Sequence, residues 1–222
     1  EDVLSVVFKG IQLGCFIPQL HCREHMNVNR WLNDLKNDNP STKLAFDNGL
    51  IGVGKSFTFD NPFGYMDAFN TDYNSKEDLA RIISDAYSIF FKVFGYKSTT
   101  FVASCFVWDD TLEKLLYDID IEGIQSSVWQ NVPVKKTDKN SLKRRMRYSG
   151  QSNNWGHIYN VRNCSYEPAY FHNPEECAED CFEQIKKAGY DIFENAKWIW
   201  NTQVEGPDSY SEFVFDKEFR KN

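Results

Sequence analysis

Two adjoining stretches constrain the fold more than any other part of the chain. "SKEDLARIISDAYSIFFKVFG", Ser75 to Gly95, carries Ser75 as a helix N-cap with Asp78 at the third helical position. Leu79, Ile82, Ile83, Ala86, Phe90 and Val93 recur on one helical face, and Gly95 supplies the stop. About twenty residues of helix make a rod of about 30 Å. Directly after it, "TTFVASCFVW" is a continuous apolar run without alternation, which predicts a strand covered on both faces. "DDTLEKLLYDI" then predicts a short helix capped by Asp109 or Asp110, and "GIQSSV" a second buried strand. Helix, strand, helix, strand with short connections is the pattern of parallel βαβ units, so the fold class is α/β. A ligand site in such a fold is expected at the carboxyl ends of the strands.

The flanking segments extend this pattern. "NVNRWLNDLKN" places Val28, Trp31, Leu32 and Leu35 on one helical stripe, with Asn27 or Asn29 as its cap. "TKLAFDNGLIGVG" is expected to be a short strand entering a glycine-rich turn. "HIYNVRN" predicts a strand, "NPEECAEDCFEQIKKAG" a helix with Asn173 at the N-cap and Pro174 at the first position, and "KWIW" a last strand. No repeat or linker interrupts the sequence, and a single domain over residues 1–222 is expected.

The hydrophobic content of 41% and formal charge of −7 are those of an acidic globular protein and argue against a general nucleic-acid binder. No apolar run approaches the roughly 20 residues of a membrane span. Acidic residues open "EDVLSVVFKG" where a signal peptide would be basic, which predicts a cytoplasmic protein. Residues 135–147 carry seven Lys or Arg against one Asp. With no aromatic interleaved among them, they are expected to be a solvated loop rather than a groove for an anionic partner. The six cysteines include no CxxC pair. Cys177 and Cys181 share a helical face, and packed thiols are expected ahead of a bridge or a metal pair.

Chemistry concentrates in "PQLHCREHMNVNRW". His21 and His25 stand four residues apart, a spacing at which two neutral imidazoles can converge on a divalent metal, although a surface pair without metal has the same spacing. Glu24 between them completes an HxxEH string, the pattern of inverted-zincin metalloproteases, in which the glutamate is the general base. That chemistry needs a continuous helix, whereas Pro18 lies upstream and the helical stripe begins only after His25.

Four segments resemble the polysaccharide deacetylase superfamily, in particular its bacterial deacetylase-like members. They are "FIPQLHCREHMNVNRWLNDL", where a glycine usually replaces Cys22, "FGYKSTTFVASCFVWDDTLEKLL", "GIQSSVWQ" and "SGQSNNWGHIYNVRNCSYEPA". The resemblance covers most of residues 10 to 190. It implies a partial or distorted (β/α)7-type barrel of parallel strands and a divalent metal, zinc, held by two histidines and an aspartate. The implied reaction is hydrolysis of N-acyl groups on an amino sugar or polysaccharide. Carried onto this chain, His21 and His25 are the metal pair. Trp108 lies on the substrate-groove segment, where Ser104 replaces a commoner proline. Arg162 and Asn163 are candidate substrate contacts, or alternatively a pair that satisfies loop backbone.

The chain departs from the family at both ends. The aspartate pair that should precede the histidines is missing, since Asp2 is the only aspartate before His21. One or two opening βα units are therefore expected to be absent, which would leave a sheet edge open to self-association. "FTFDNP" resembles the missing motif, with Asp60 as a candidate ligand and Asn61 in place of the second aspartate. Asn201, Thr202 and Gln203 stand where relatives carry a late histidine. A metal-dependent deacetylase, a non-catalytic carbohydrate-binding or structural relative, and an HxxEH protease using Glu24 are the three functions to be distinguished.

Overall fold

The computed structural model describes residues 2–53, 63–134, 141–166 and 173–187, together with the main-chain course of 200–206 and 209–215. The chain, expected to be one domain, divides into two compact units. Leu20–Tyr159 form one; Glu1–Gln19 with Asn160–Asn222 form the other.

The Leu20–Tyr159 unit is built on the predicted βαβ alternation. Helix α2 (Val28–Lys36) is capped by Asn27, whose side chain accepts from the Arg30 N–H. Helix α4 (Lys76–Phe94) has the full reciprocal box between Ser75 and Asp78, and ends at Gly95 in the left-handed conformation, φ 77°. Strands β1 (Thr100–Val102) and β2 (Gly123–Ser126) are buried at every position and pair in parallel, Phe101 opposite Ile124. Between them lies α5 (Asp110–Tyr117), capped by Asp109. Strand β5 (Ile158–Val161) completes the sheet in the order β1-β2-β5, and Leu20 bridges Phe101 in parallel on the free side of β1. Helices α4 and α5 cover this sheet, so Leu79, Ile83, Phe101, Leu112, Leu116 and Ile124 form one fully buried cluster. Each such side chain contributes about 1.5–3 kcal/mol when removed from water.

Two expectations are corrected. "TKLAFDNG" is not a strand; Pro40–Asp47 form helix α3, because the Asn39 side chain caps the N–H groups of Ser41 and Thr42 and Pro40 occupies the first turn. The basic stretch is not simply a loop. Ser141–Met146 form β4, paired antiparallel with β3 (Trp129–Val134), Asn131 opposite Arg144. Among the described residues the mixed α/β architecture holds a parallel sheet of three strands with no closed barrel, and the remaining strands form two-stranded ribbons.

In the second unit, α1 (Val3–Gln12) is capped by Asp2 and buries none of its residues, with Val3 81% exposed. Helix α6 (Pro174–Lys187) packs Cys181 and Ile185 against Cys164. The last predicted strand begins at Trp200, in β6 (Trp200–Gly206), which pairs antiparallel with β7 (Ser209–Phe215); Lys197–Ile199 lie outside the described residues. Among the described residues, no helix is long and apolar enough to cross a membrane.

Candidate functional site

The histidine pair lies where the parallel sheet ends. Leu20 runs parallel to β1, its carbonyl accepting from the Val102 N–H at 3.1 Å, so His21 emerges at the carboxyl side of the strands. The His21 Nδ1 lies 3.1 Å from the Val102 carbonyl oxygen. A carbonyl can only accept, so Nδ1 carries a proton, and in the neutral tautomer Nε2 is the nitrogen left to accept or ligate. The His25 ring meets that of His21 edge to face, centroids 5.1 Å apart. Burial, and secondarily the neighbouring His21, lower the His25 pKa to about 4, so its imidazole is neutral at pH 7, as a ligand must be.

Asn27 holds this loop in place. Besides capping α2, its N–H donates to the Tyr65 carbonyl at 2.7 Å and its amide to the Asp67 carbonyl at 3.2 Å. It is 1% exposed. The main chain is strained at the same end of the sheet. Cys22 has φ 140°, and Cys105 and Phe106, in the turn after β1, have φ 50° and 54°. Side chains rarely adopt this region, and such strain gathers at functional sites. Ser104 in that turn is fully buried, and its hydroxyl accepts from the Ala68 N–H at 3.1 Å.

The structure brings some of the expected residues together and separates others. Residues 21–25 are not helical, so Glu24 lacks the continuous helix that an HxxEH protease requires. Its carboxylate is instead gripped by the Arg23 guanidinium, with 2.6 Å between Arg23 Nη2 and Glu24 Oε1, and the same guanidinium also pairs with Asp85. Glu24 is thus the salt-bridge partner of Arg23. Trp108 is 0% exposed and its indole N–H donates to Glu113 at 3.1 Å, so it is core rather than a substrate contact. Asp60 lies outside the described residues. Arg162 and Asn163 follow β5, are half-buried and belong to the other compact unit.

One polar cluster escapes sequence reasoning. Glu113 on α5 is 3% exposed, and its Oε1 accepts from Trp108 Nε1, from the Tyr159 hydroxyl at 2.5 Å and from Arg147 Nη2 at 3.5 Å. Arg147 donates through Nε to Gln130 at 2.8 Å and lies 4.0 Å over the Tyr159 ring. Burial, then the Glu113 carboxylate, push the Tyr159 phenol upward, keeping its proton for this bond. His157, 1% exposed, joins the neighbourhood through a hydrogen bond between Nδ1 and the Asn153 side chain. Arg147 belongs to a run that sequence alone assigns to solvent, and no local signal marks it as the buried member.

The His25 imidazole is neutral and the His21 ring is oriented by the Val102 carbonyl. Among the described residues, no third His, Cys, Asp or Glu assembles with them. Searches with family models and among curated proteins and solved structures find nothing that matches this chain.

Proposed function

We propose that the chain is a polysaccharide deacetylase-like α/β protein whose His21–His25 loop takes a divalent metal, zinc, and whose ligand is an N-acylated amino sugar or polysaccharide. The observation that carries this reading is the His21 Nδ1 bond to the Val102 carbonyl, with the neutral His25 ring beside it at the carboxyl end of a parallel sheet. A metal bound there would polarise an acyl carbonyl and acidify water. The chain's own contribution is orientation: Val102 sets the His21 tautomer, Asn27 anchors the loop, and the strained Cys22 lets the chain turn between strand and helix. A partial form of the family barrel, open at the Leu20 side, belongs to the same proposal and would make self-association possible there.

Isothermal titration with zinc tests it. Stoichiometric binding that weakens at least 100-fold in both His21→Ala and His25→Ala is expected, while wild-type affinity in both variants would refute it. Acetate release from a chitin oligosaccharide is then measured on the zinc-loaded protein.

A second reading, a non-catalytic carbohydrate-binding relative, is favoured by the capture of Glu24 in the Arg23 pair. It predicts zinc binding without acetate release, and chelator-sensitive turnover would reject it.

A further inference from the structure

We infer that Cys164 and Cys181 are the two halves of one structural disulfide, which closes during oxidative folding and clamps the segment after β5 to helix α6. The two residues are 5% and 8% exposed and, with Ile185, form a buried cluster of their own, flanked by Tyr166. Both are free thiols in the structure, packed within this one cluster. Beside them the Ser165 N–H donates to the Gln184 side chain at 3.1 Å, joining the same segment to the last turns of α6. Cys177, one helical turn from Cys181, is half-buried and stands outside the cluster. Helical spacing puts Cys177 and Cys181 on one face, whereas the fold sets Cys181 in the cluster of Cys164.

The shared cluster and the Ser165–Gln184 bond hold the two cysteines close, which is the step that chain entropy otherwise opposes. Burial, then the adjoining thiol, raise the Cys164 pKa to about 12. A thiol so protonated is a poor nucleophile, so the bond forms before the cluster is sealed rather than in the finished fold.

The oxidant is a small disulfide such as oxidised glutathione. One cysteine thiolate attacks it, forming a protein–glutathione mixed disulfide and releasing one glutathione thiolate. The second cysteine thiolate attacks the protein sulfur of that mixed disulfide and releases the other glutathione. Two protein thiols become one S–S bond, and one oxidised glutathione becomes two reduced molecules, which take up both protons. In a reducing compartment the pair stays a dithiol.

The full chain, reduced and unfolded, is refolded in a mixed oxidised and reduced glutathione buffer, and a parallel sample stays in denaturant in the same buffer. Both are blocked with iodoacetamide and mapped by mass spectrometry after unreduced cleavage at glutamate, which separates Cys164 from Cys177 and Cys181. Trypsin would leave all three on one peptide. The expected refolded product links Cys164 to Cys181, with Cys177 alkylated, while the denatured sample gives mixed pairings. Alkylation of both Cys164 and Cys181 after refolding, a bridge from Cys164 to Cys177, or the same mixture with and without denaturant would each overturn the inference. Cys164→Ser and Cys181→Ser provide a second measurement. Each should leave the remaining partner alkylated, and a new bridge to Cys177 in place of the lost one would show that the fold does not select the pair.

Discussion

Glu113 is the residue on which most buried polar chemistry of the Leu20–Tyr159 unit converges. Its carboxylate receives an indole, a phenol and a guanidinium in a region closed to water. A hydrogen bond to a charged group is worth about 1.5–3 kcal/mol, so Tyr159→Phe should lower unfolding free energy by that amount in a urea titration. Glu113→Ala leaves Arg147 buried without its countercharge and should cost about 3–5 kcal/mol by the same measurement. His157 gives the cluster a pH signature. Burial lowers its pKa below the ordinary 6.5, although the Glu113 charge acts the other way. The unfolded chain therefore binds a proton first as pH falls, and the stability held in the neutral folded imidazole is complete above about pH 6.5 and lost as pH drops through the lower folded value. Urea midpoints measured from pH 7.5 down to 4.5 should fall less steeply in His157→Gln than in the wild type. Neither Arg147 nor His157 is legible as buried from sequence, because burial of a charged residue depends on a partner distant along the chain.

Among the elements, α4 shows local signals and tertiary structure in agreement. The reciprocal bonds of Ser75 and Asp78 satisfy main-chain donors that the helix start would otherwise leave to water. Ser75→Ala should cost about 1 kcal/mol, seen as a lower denaturant midpoint with an unchanged slope. Helix α3 shows the same code overlooked: Asn39 and Pro40 announce a helix, but the glycines just beyond it read as a strand's turn. The β3–β4 ribbon was illegible for another reason. Its register brings Trp129 opposite Met146 and Val132 opposite Lys143, pairings that the basic run does not display as an alternating pattern.

For the whole molecule, binding energetics and covalent closure can be read as stability. Zinc held only by the folded His21–His25 loop should raise unfolding free energy by about 2.7 kcal/mol at a free concentration 100 times the dissociation constant. His21→Ala should abolish that rise in a thermal melt. Closure of Cys164 to Cys181 spans a short loop, for which the chain-entropy account gives about 3 kcal/mol. Reduced and oxidised samples of the refolded wild type should differ by this order in urea.

Sequence by itself determined the α/β class, the capped helices α2, α4, α5 and α6, the buried strands β1 and β2, and the closeness of His21 to His25. All of these arise from periodicity, caps and spacings within a few residues of one another. Only the tertiary structure decided that His21 takes its orientation from the Val102 carbonyl, that Arg23 takes Asp85 as a partner beside Glu24, that Trp108 faces Glu113 in the core, and that Cys181 shares a buried cluster with Cys164. The physical reason is common to them. A side chain's chemistry is set by what desolvates it and which group answers its hydrogen bond, and in three of these four cases the answering group lies well over ten positions away in the chain.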